Sequence, residues 1–307
     1  MFDRTMLTAL RLWVLNLLLI TLAPLAEAQA PAQTQEAPQA SACTLTPVNG
    51  ELRELVSGGR KRVYRLFVPA ITPAITPAIT QGQAALPVVF DLHGTGGNTT
   101  GRARETGFET LAAREGFVVA TLQGEDSRWN VPVATWRGDD VQYVADVIEH
   151  LAARVCIQRS RVYATGFSGG GRMSSLLGCR LNDRIAAIGP VGGLRWFGPC
   201  PGRAVPVLTI HGLADLTNPY EGHGDRGAEW VESVAEALAG WAAHNRCQPK
   251  LVQDPPAGGV HTIRYGACAA GSDVRLLRVN GLGHIWPHHE LDATATIWQF
   301  FKAHSLQ

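Results

Sequence analysis

Short apolar runs alternate with amphipathic stretches along the chain from residue 43 to the end. The runs that predict buried strands cover residues 88–92, 117–122, 162–165, 185–189, 207–211 and 274–279. Between them, the pattern predicts helices over about residues 104–115, 141–155, 228–244 and 293–304. Strands that alternate with helices favour a mostly parallel, doubly wound α/β sheet. Ligands in such sheets bind at the carboxyl ends of the strands.

Turn and cap residues refine this pattern. Residues 52–56 and 62–68 flank Ser57-Gly58-Gly59-Arg60, which predicts a β-hairpin. Asp139 and Asp140 stand at the start of the helix predicted over 141–155, where carboxylates satisfy free amides. An Ile-Thr-Pro-Ala repeat runs from residue 70 to residue 80. Proline at every fourth position excludes a helix or a central strand, so we expect a lengthened surface loop there.

The amino terminus has the pattern of a secretory leader. Arg4 and Arg11 precede an apolar run at residues 12–22, and Ala26-Glu27-Ala28 offers small residues for cleavage. A membrane anchor is the alternative, but the run is short for a membrane span. We therefore expect a signal peptide over 1–28, a disordered linker over 29–42 and one catalytic domain over 43–307. The mature protein would be extracellular or periplasmic.

Composition narrows the class of partner and the redox compartment. The 307 residues carry a formal net charge of +1, so we expect neither a nucleic acid nor a membrane surface as partner. The six cysteines, an even number in an exported chain, predict disulfides. They allow 15 pairings. Sequence proximity favours Cys179–Cys200 and Cys247–Cys268, which leaves Cys43–Cys156.

The motif with the clearest chemistry is Gly166-Phe167-Ser168-Gly169-Gly170, which follows a predicted strand. Glycines on both sides of a serine permit the strained strand-to-helix turn called a nucleophile elbow. We expect Ser168 to be the nucleophile and the Gly169 amide to face a developing oxyanion. The alternative is a glycine-rich turn capped by a serine.

A serine hydroxyl needs a base, and the base needs an orienting acid that precedes it in this chain order. Asp215 follows the strand predicted at 207–211, and His284 follows the last predicted strand. Alternatives to Asp215 are Asp183 and Asp225, and Asp215 could instead cap a turn. Alternatives to His284 are His288 and His289, which together with Glu290 also raise a metal site as a competing interpretation. We expect no metal and no cofactor.

A second oxyanion donor should come from the loop after an early strand. His93-Gly94-Thr95-Gly96-Gly97 follows the strand predicted at 88–92, and we expect the Thr95 amide to donate. The alternative is a plain glycine turn. Asn98-Thr99-Thr100 is formally a glycosylation sequon, but it lies beside the expected site and should remain unmodified.

The chain resembles the feruloyl esterases of carbohydrate esterase family 1, especially their C- and D-type branch. More distantly it is similar to polyhydroxybutyrate depolymerases. The resemblance covers about residues 43–306. It is carried by the motifs above and by Trp136 with Asp139-Asp140-Val141, Cys156-Ile157, residues 160–166 before the elbow, His211-Gly212, Pro219-Tyr220, residues 241–247, Gly281-Leu282-Gly283-His284, Trp286-Pro287 and residues 301–306.

The resemblance implies an α/β-hydrolase fold, hydrolysis of hydroxycinnamate esters on plant cell-wall polysaccharide, and a triad of Ser168, Asp215 and His284. It also supports the three cysteine pairings. Three features depart from the family pattern: the repeat, Gly169 in place of a larger polar residue, and the segment 195–197. The acyl group therefore stays open.

Three tryptophans are candidates for contacts with the substrate. An aromatic acyl group needs an apolar slot, for which Trp136, Trp196 and Trp286 are candidates, although each could belong to the core. Alternative functions are a polyhydroxyalkanoate depolymerase, an acetylxylan esterase, a non-catalytic carbohydrate-binding protein on the same fold and, more weakly, a peptidase. We expect a monomer whose partner is its ester substrate.

Overall fold

The protein is described from a computed structural model, which describes residues 45–70, 85–131, 138–222, 232–253 and 258–307. In these ranges, ten strands form one sheet in the order β1-β2-β4-β3-β5-β6-β7-β10-β9-β8. The strands are β1 Val48–Ser57, β2 Arg60–Val68, β3 Leu86–Leu92, β4 Val118–Leu122, β5 Ile157–Phe167, β6 Ala187–Val191, β7 Val207–Gly212, β8 Gln248–Gln253, β9 Val260–Gly266 and β10 Val274–Val279.

The centre of the sheet is parallel and its two margins are antiparallel. Strands β4, β3, β5, β6, β7 and β10 run parallel, as predicted. At one margin β1 and β2 form the predicted hairpin, whose turn places Gly58 and Gly59 at φ +54° and +75°. Glycine adopts these angles without the clash that a Cβ would create. At the other margin, the β8–β9 hairpin was not predicted.

Six α-helices cover the sheet within the described residues. They are α1 Thr99–Thr106, α2 Phe108–Glu115, α3 Asp140–Arg154, α4 Gly169–Arg180, α5 Val234–His244 and α6 Ala293–Lys302. The single helix predicted at 104–115 is wrong, because Gly107 takes φ +66° and divides it into α1 and α2. The predicted start of α5, at residues 228–231, lies outside the described residues, and the Ser233 side chain caps the helix as described.

Two aspartates were predicted to cap the start of α3, and the structure confirms only one of them. Asp139 caps the helix, and its carboxylate accepts hydrogen bonds from the amides of Val141 and Gln142. Asp140 instead turns into the core, where it pairs with the buried Arg62 guanidinium and accepts from the Asn130 amide at 2.6 Å. The predicted capping role of Asp140 is therefore wrong, because its carboxylate is held by β2 across the core.

Two buried clusters, one on each side of the sheet, form the core. The larger one packs α3, α4 and α5 with residues such as Val144, Leu177 and Trp241. The smaller one packs α2 and α6, and the Phe117 and Trp298 rings stack there with centroids 3.9 Å apart. Helices on both faces bury the parallel centre, which explains why its strands are apolar runs rather than alternating patterns.

Two of the three predicted disulfides are present, Cys179–Cys200 and Cys247–Cys268. Cys43 lies outside the described residues, so the bridge from Cys43 to Cys156 stays a prediction. The signal peptide, the linker and the Ile-Thr-Pro-Ala repeat from residue 71 onward also lie outside them. None of the helices in the described ranges has the length and apolar character needed to cross a membrane.

Candidate active site

The turn at Ser168 joins β5 to α4 in a strained conformation. Ser168 has φ +53° and ψ −115°, an unusual geometry for a residue with a side chain, and its amide donates to the Val191 carbonyl at 2.9 Å. A Cβ at position 166 would lie 2.4 Å from the Gly170 carbonyl oxygen, and one at position 170 would lie 2.2 Å from that of Leu92. Both flanking glycines are therefore required by close packing of the backbone.

The structure brings Asp215 and His284 together at the same edge of the sheet. Strands β7 and β10 are parallel neighbours, so the loops that follow them start side by side. The Nδ1–H of His284 donates to Asp215 Oδ2 at 2.7 Å. The other carboxylate oxygen accepts from the amides of Thr217 and Asn218 at 2.9 and 2.7 Å. These bonds fix the tautomer of His284 and leave its Nε2 lone pair available to accept a proton.

The electrostatics keep the Asp215 carboxylate ionised. Burial would raise the pKa of Asp215, but hydrogen bonds from His284 and Asn218 outweigh burial and lower it. A second imidazole, that of His211, lies 3.6 Å from the same carboxylate. Burial lowers the pKa of His211, so its ring is neutral and donates from Nε2 to the Asn218 carbonyl at 2.8 Å. His284 is thus the group that shares its proton with Asp215.

The His284 ring lies beside the elbow. It packs against the ring of Phe167, the residue before Ser168, with centroids 4.6 Å apart. A Cβ on Gly192 would lie 3.6 Å from both Asp215 Oδ2 and His284 Cε1, so Gly192 lies directly beside this pair. Although both residues are described, no hydrogen bond joins the Ser168 hydroxyl to His284. Such bonds are often long in a free enzyme and tighten when substrate binds.

The loop after β3 brings Thr95 against the start of α4. A Cβ on Gly169 would lie 3.2 Å from the Thr95 backbone nitrogen and 2.5 Å from its Oγ1. The two residues expected to donate to an oxyanion are therefore direct neighbours. The absence of a side chain at position 169 is what lets the loop approach this closely.

The His93 side chain anchors the loop after β3. Its ring is buried, donates from Nδ1 to the Gly94 carbonyl at 2.8 Å and accepts at Nε2 from the Gly124 amide at 3.0 Å. Burial lowers the pKa of His93, consistent with a neutral ring that both donates and accepts. The Trp129 indole donates to the His93 carbonyl at 2.8 Å. The motif that begins at His93 predicted an oxyanion donor at Thr95 but not this positioning role of the histidine.

A buried network connects the loop after β3, residues 93–97, to the loop that carries His284. The first of these is called the oxyanion loop, for its expected role. Arg102 pairs with Asp91 at 2.7 Å, and its guanidinium lies 4.1 Å from the centroid of the Trp286 ring. Asp91 also accepts from the Thr106 hydroxyl at 2.8 Å, and the Trp286 indole donates to Thr294 Oγ1 at 3.1 Å. Thr294 in turn donates to the Thr106 carbonyl at 2.6 Å, which closes the ring of contacts.

The remaining predicted residues lie in different surroundings. Trp286 is 3% exposed and lies in the core beneath Arg102, so its predicted contact with substrate gives way to a structural role. Trp196 is half-buried against Trp241, with ring centroids 5.3 Å apart. Trp136 lies outside the described residues, as does Asp225. Asp183, the other alternative acid, is exposed and pairs with Arg184.

The histidines near His284 lie outside this arrangement. His288 and His289 are exposed, as is Glu290. Within the described ranges, no group of three or more His, Cys, Asp or Glu side chains is placed to hold a metal ion.

The parallel sheet with a strained serine turn at its carboxyl edge defines an α/β-hydrolase. Putative esterase NocK from Nocardia uniformis subsp. tsuyamanensis is 31% identical over 302 residues, 86% of this chain and 84% of that protein. Probable feruloyl esterase C from Aspergillus oryzae is 30% identical, and the alignment covers 70% of this chain and 77% of that protein. The chain belongs to the feruloyl esterase family.

Two further comparisons concern the share of a relative's length that the chain matches and the fold of the chain. Feruloyl esterase B from Piromyces equi is 30% identical over 73% of this chain, and the chain spans only 43% of that protein's length. Among solved structures, an acetyl xylan esterase from Aspergillus awamori superposes with a TM-score of 0.61. It is 15% identical and aligns over 82% of this chain and 99% of its own, which supports the fold. No family model matches the chain.

Proposed function

We propose that this protein is a serine ester hydrolase that releases ferulate or related hydroxycinnamates from plant cell-wall polysaccharide. The observation that carries the proposal is the 2.7 Å hydrogen bond between His284 and Asp215 beside the strained Ser168 turn. In this arrangement a buried carboxylate orients a base beside a serine turn at the carboxyl edge of the sheet, which is the requirement for nucleophilic acyl transfer.

The reaction has two acyl-transfer steps. The Nε2 of His284 takes the Ser168 proton while the hydroxyl oxygen attacks the ester carbonyl. The amides of Gly169 and Thr95 hold the negative charge of the tetrahedral intermediate. His284 then protonates the leaving alcohol oxygen as the ester bond breaks. Water repeats the sequence on the acyl-enzyme and releases the acid, while Asp215 stabilises the charged imidazole.

The names of the relatives support the substrate class. Several of them, from Aspergillus species and from Piromyces equi, are named feruloyl esterases B or C. The groups around the elbow are those of an ester hydrolase whatever the acyl group. The assignment to hydroxycinnamates therefore rests on family membership.

Acetylxylan esterase is a second candidate. A bifunctional acetylxylan esterase/xylanase, XynS20E from Neocallimastix patriciarum, is 28% identical over 64% of this chain. The two activities share the same acyl-transfer steps and differ only in the acyl group. Release of acetate rather than ferulate from matched esters would favour this candidate.

We also propose that the chain is exported and acts as a monomer. Disulfides persist in oxidising compartments and are rare in the cytosol. The two described bridges, Cys179–Cys200 and Cys247–Cys268, support export. Cleavage after residue 28, measured as the amino-terminal sequence of protein recovered outside the cytoplasm, tests the leader.

The decisive experiment combines a substrate panel with a nucleophile variant. The purified protein should release ferulate from methyl ferulate faster than acetate or 3-hydroxybutyrate from matched esters. Ser168→Ala should lower kcat by about six orders of magnitude and abolish labelling by a serine-directed phosphonate. Ser174→Ala is the matched control, because this buried serine bonds only within its own helix, to the Gly171 carbonyl at 2.9 Å. Near-parent turnover by Ser168→Ala would refute the assignment.

A further inference from the structure

A groove of about 340 Å³ opens between the oxyanion loop and helix α1. Its walls include Thr95 and Gly97 on the loop, Asn98 and Glu105 on or beside the helix, and Phe167 from the elbow. The volume lies within the range of small-ligand sites. Since it touches both an expected oxyanion donor and the residue before the nucleophile, a substrate bound at Ser168 would extend along it.

Phe167 connects the groove with the His284 imidazole. A general acid must be within hydrogen-bonding reach of the atom it protonates, so the leaving alcohol has to lie next to the His284 imidazole. Phe167 packs against that imidazole at 4.6 Å and also forms one wall of the groove. The alcohol portion of an ester would therefore enter this groove once its oxygen is placed near His284.

The polar groups of the groove suit a sugar ring. The Asn98 Oδ1 caps α1 by accepting from the Gly101 amide at 2.9 Å, which leaves the two N–H donors of its amide to other partners. The Glu105 carboxylate pairs with Arg102 at 2.9 Å and, at 39% side-chain exposure, retains acceptor capacity toward the groove. Neighbouring hydroxyls on a sugar both donate and accept, so they match an amide donor beside a carboxylate acceptor.

We propose that this groove is the subsite for the carbohydrate leaving group, with Asn98 and Glu105 binding its hydroxyls. The inference rests on the proposed function, because it takes the leaving alcohol to be a sugar. The buried Arg102 pairs with both Glu105 and Asp91, so one positive charge lies between two carboxylates, and the subsite favours neutral sugars over anionic ones. A hydroxycinnamoyl ring, by contrast, would meet mostly polar walls, in which Phe167 is the only apolar aromatic ring among the described lining residues.

The test compares two esters of the same acid. The readout is the ratio of kcat/KM for a feruloyl ester of arabinosyl-xylobiose to kcat/KM for methyl ferulate, whose leaving group is too small to fill the groove. Asn98→Ser keeps a helix-capping oxygen and removes the amide donors. Glu105→Gln keeps the shape and removes the charge. Each variant should lower the ratio about tenfold, the size expected for one lost hydrogen bond to the sugar.

Glu115→Gln is the matched control, since Glu115 has a similar exposure of 32% and pairs with Lys302 away from the groove. It should leave the ratio at the parent value. An indirect effect through Arg102 would lower both rates equally and leave the ratio unchanged. Unchanged ratios in both groove variants would therefore overturn the subsite. A tenfold increase in KM for both esters at an unchanged ratio would place the acyl group, which the two esters share, in the groove.

Failure of the proposed function would look different. The parent enzyme would then release no ferulate from either ester. The same variants would be measured on acetylated xylobiose against methyl acetate, and a tenfold lower ratio there would still support the subsite for sugar esters. No change in that ratio would overturn it.

Discussion

Replacing Gly169 with alanine tests the oxyanion geometry most directly. The new Cβ would lie 2.5 Å from Thr95 Oγ1 and 3.2 Å from the Thr95 nitrogen. The first contact is too short to persist, so Thr95, which belongs to an exposed loop, has to move away from α4. This movement takes its amide away from the oxyanion. Loss of one oxyanion donor costs about 2.7–4 kcal/mol of transition-state stabilisation, so kcat should fall about 10²–10³-fold.

The assay is steady-state hydrolysis of methyl ferulate by Gly169→Ala, with kcat and KM determined separately. KM should change little, because the donors act on charge that develops only in the transition state. A thermal melt on the same preparation distinguishes this effect from unfolding. The double variant Thr95→Ala/Gly169→Ala removes the atom responsible for the 2.5 Å contact and should recover at least tenfold in kcat over Gly169→Ala. A parent-like kcat for the single variant, or no recovery in the double variant, would refute the reasoning.

Three further predictions concern stability. Arg62→Met leaves the buried Asp140 carboxylate without its cationic partner and should lower the free energy of unfolding in urea by about 3–5 kcal/mol. The double variant Arg62→Met/Asp140→Leu should regain most of that loss, and equal losses in the two variants would contradict the argument. Removing the Cys179–Cys200 bridge, which spans 21 residues, should cost about 3 kcal/mol by the same measurement, and a loss below 1 kcal/mol would not fit. The pKa of Asp215 is lowered in the folded state, so the ionised carboxylate stabilises the fold above the unfolded pKa of about 3.9, and this stabilisation is lost as pH falls through the folded pKa. The difference in melting temperature between the parent and Asp215→Asn should therefore shrink below about pH 4. A constant difference from pH 7 to pH 3 would count against this prediction.

Features that depend on neighbours in the chain could be predicted from the sequence. The β1–β2 turn needed two glycines at positive φ, and Gly58-Gly59 supplied them. The serine elbow needed glycines at positions 166 and 170, where any side chain would strike the backbone. The positions of Asp215 and His284 followed from a topological rule, because the loops after parallel neighbouring strands begin at one edge.

Features that depend on residues distant in the chain could not be predicted. The carboxylate of Asp140 would cap a helix in isolation, but its partner Arg62 lies 78 residues away. The strand β9 was missed because it lies toward the edge of the sheet and most of its side chains are only half-buried, so it has no continuous apolar run. Gly107 ended α1 only because the chain turns there to start α2, and an isolated glycine is tolerated within many helices.

The network around Arg102 shows why motifs alone describe this site incompletely. Asp91 is the penultimate residue of β3, the strand that leads into the oxyanion loop, and Trp286 lies two residues after His284. Arg102 contacts both, through an ion pair at 2.7 Å and through the face of the indole at 4.1 Å. A movement of either loop would therefore break a buried contact, and a buried charge without its partner is costly. The oxyanion loop and the loop of His284 are thus both adjacent to residues that contact one buried guanidinium.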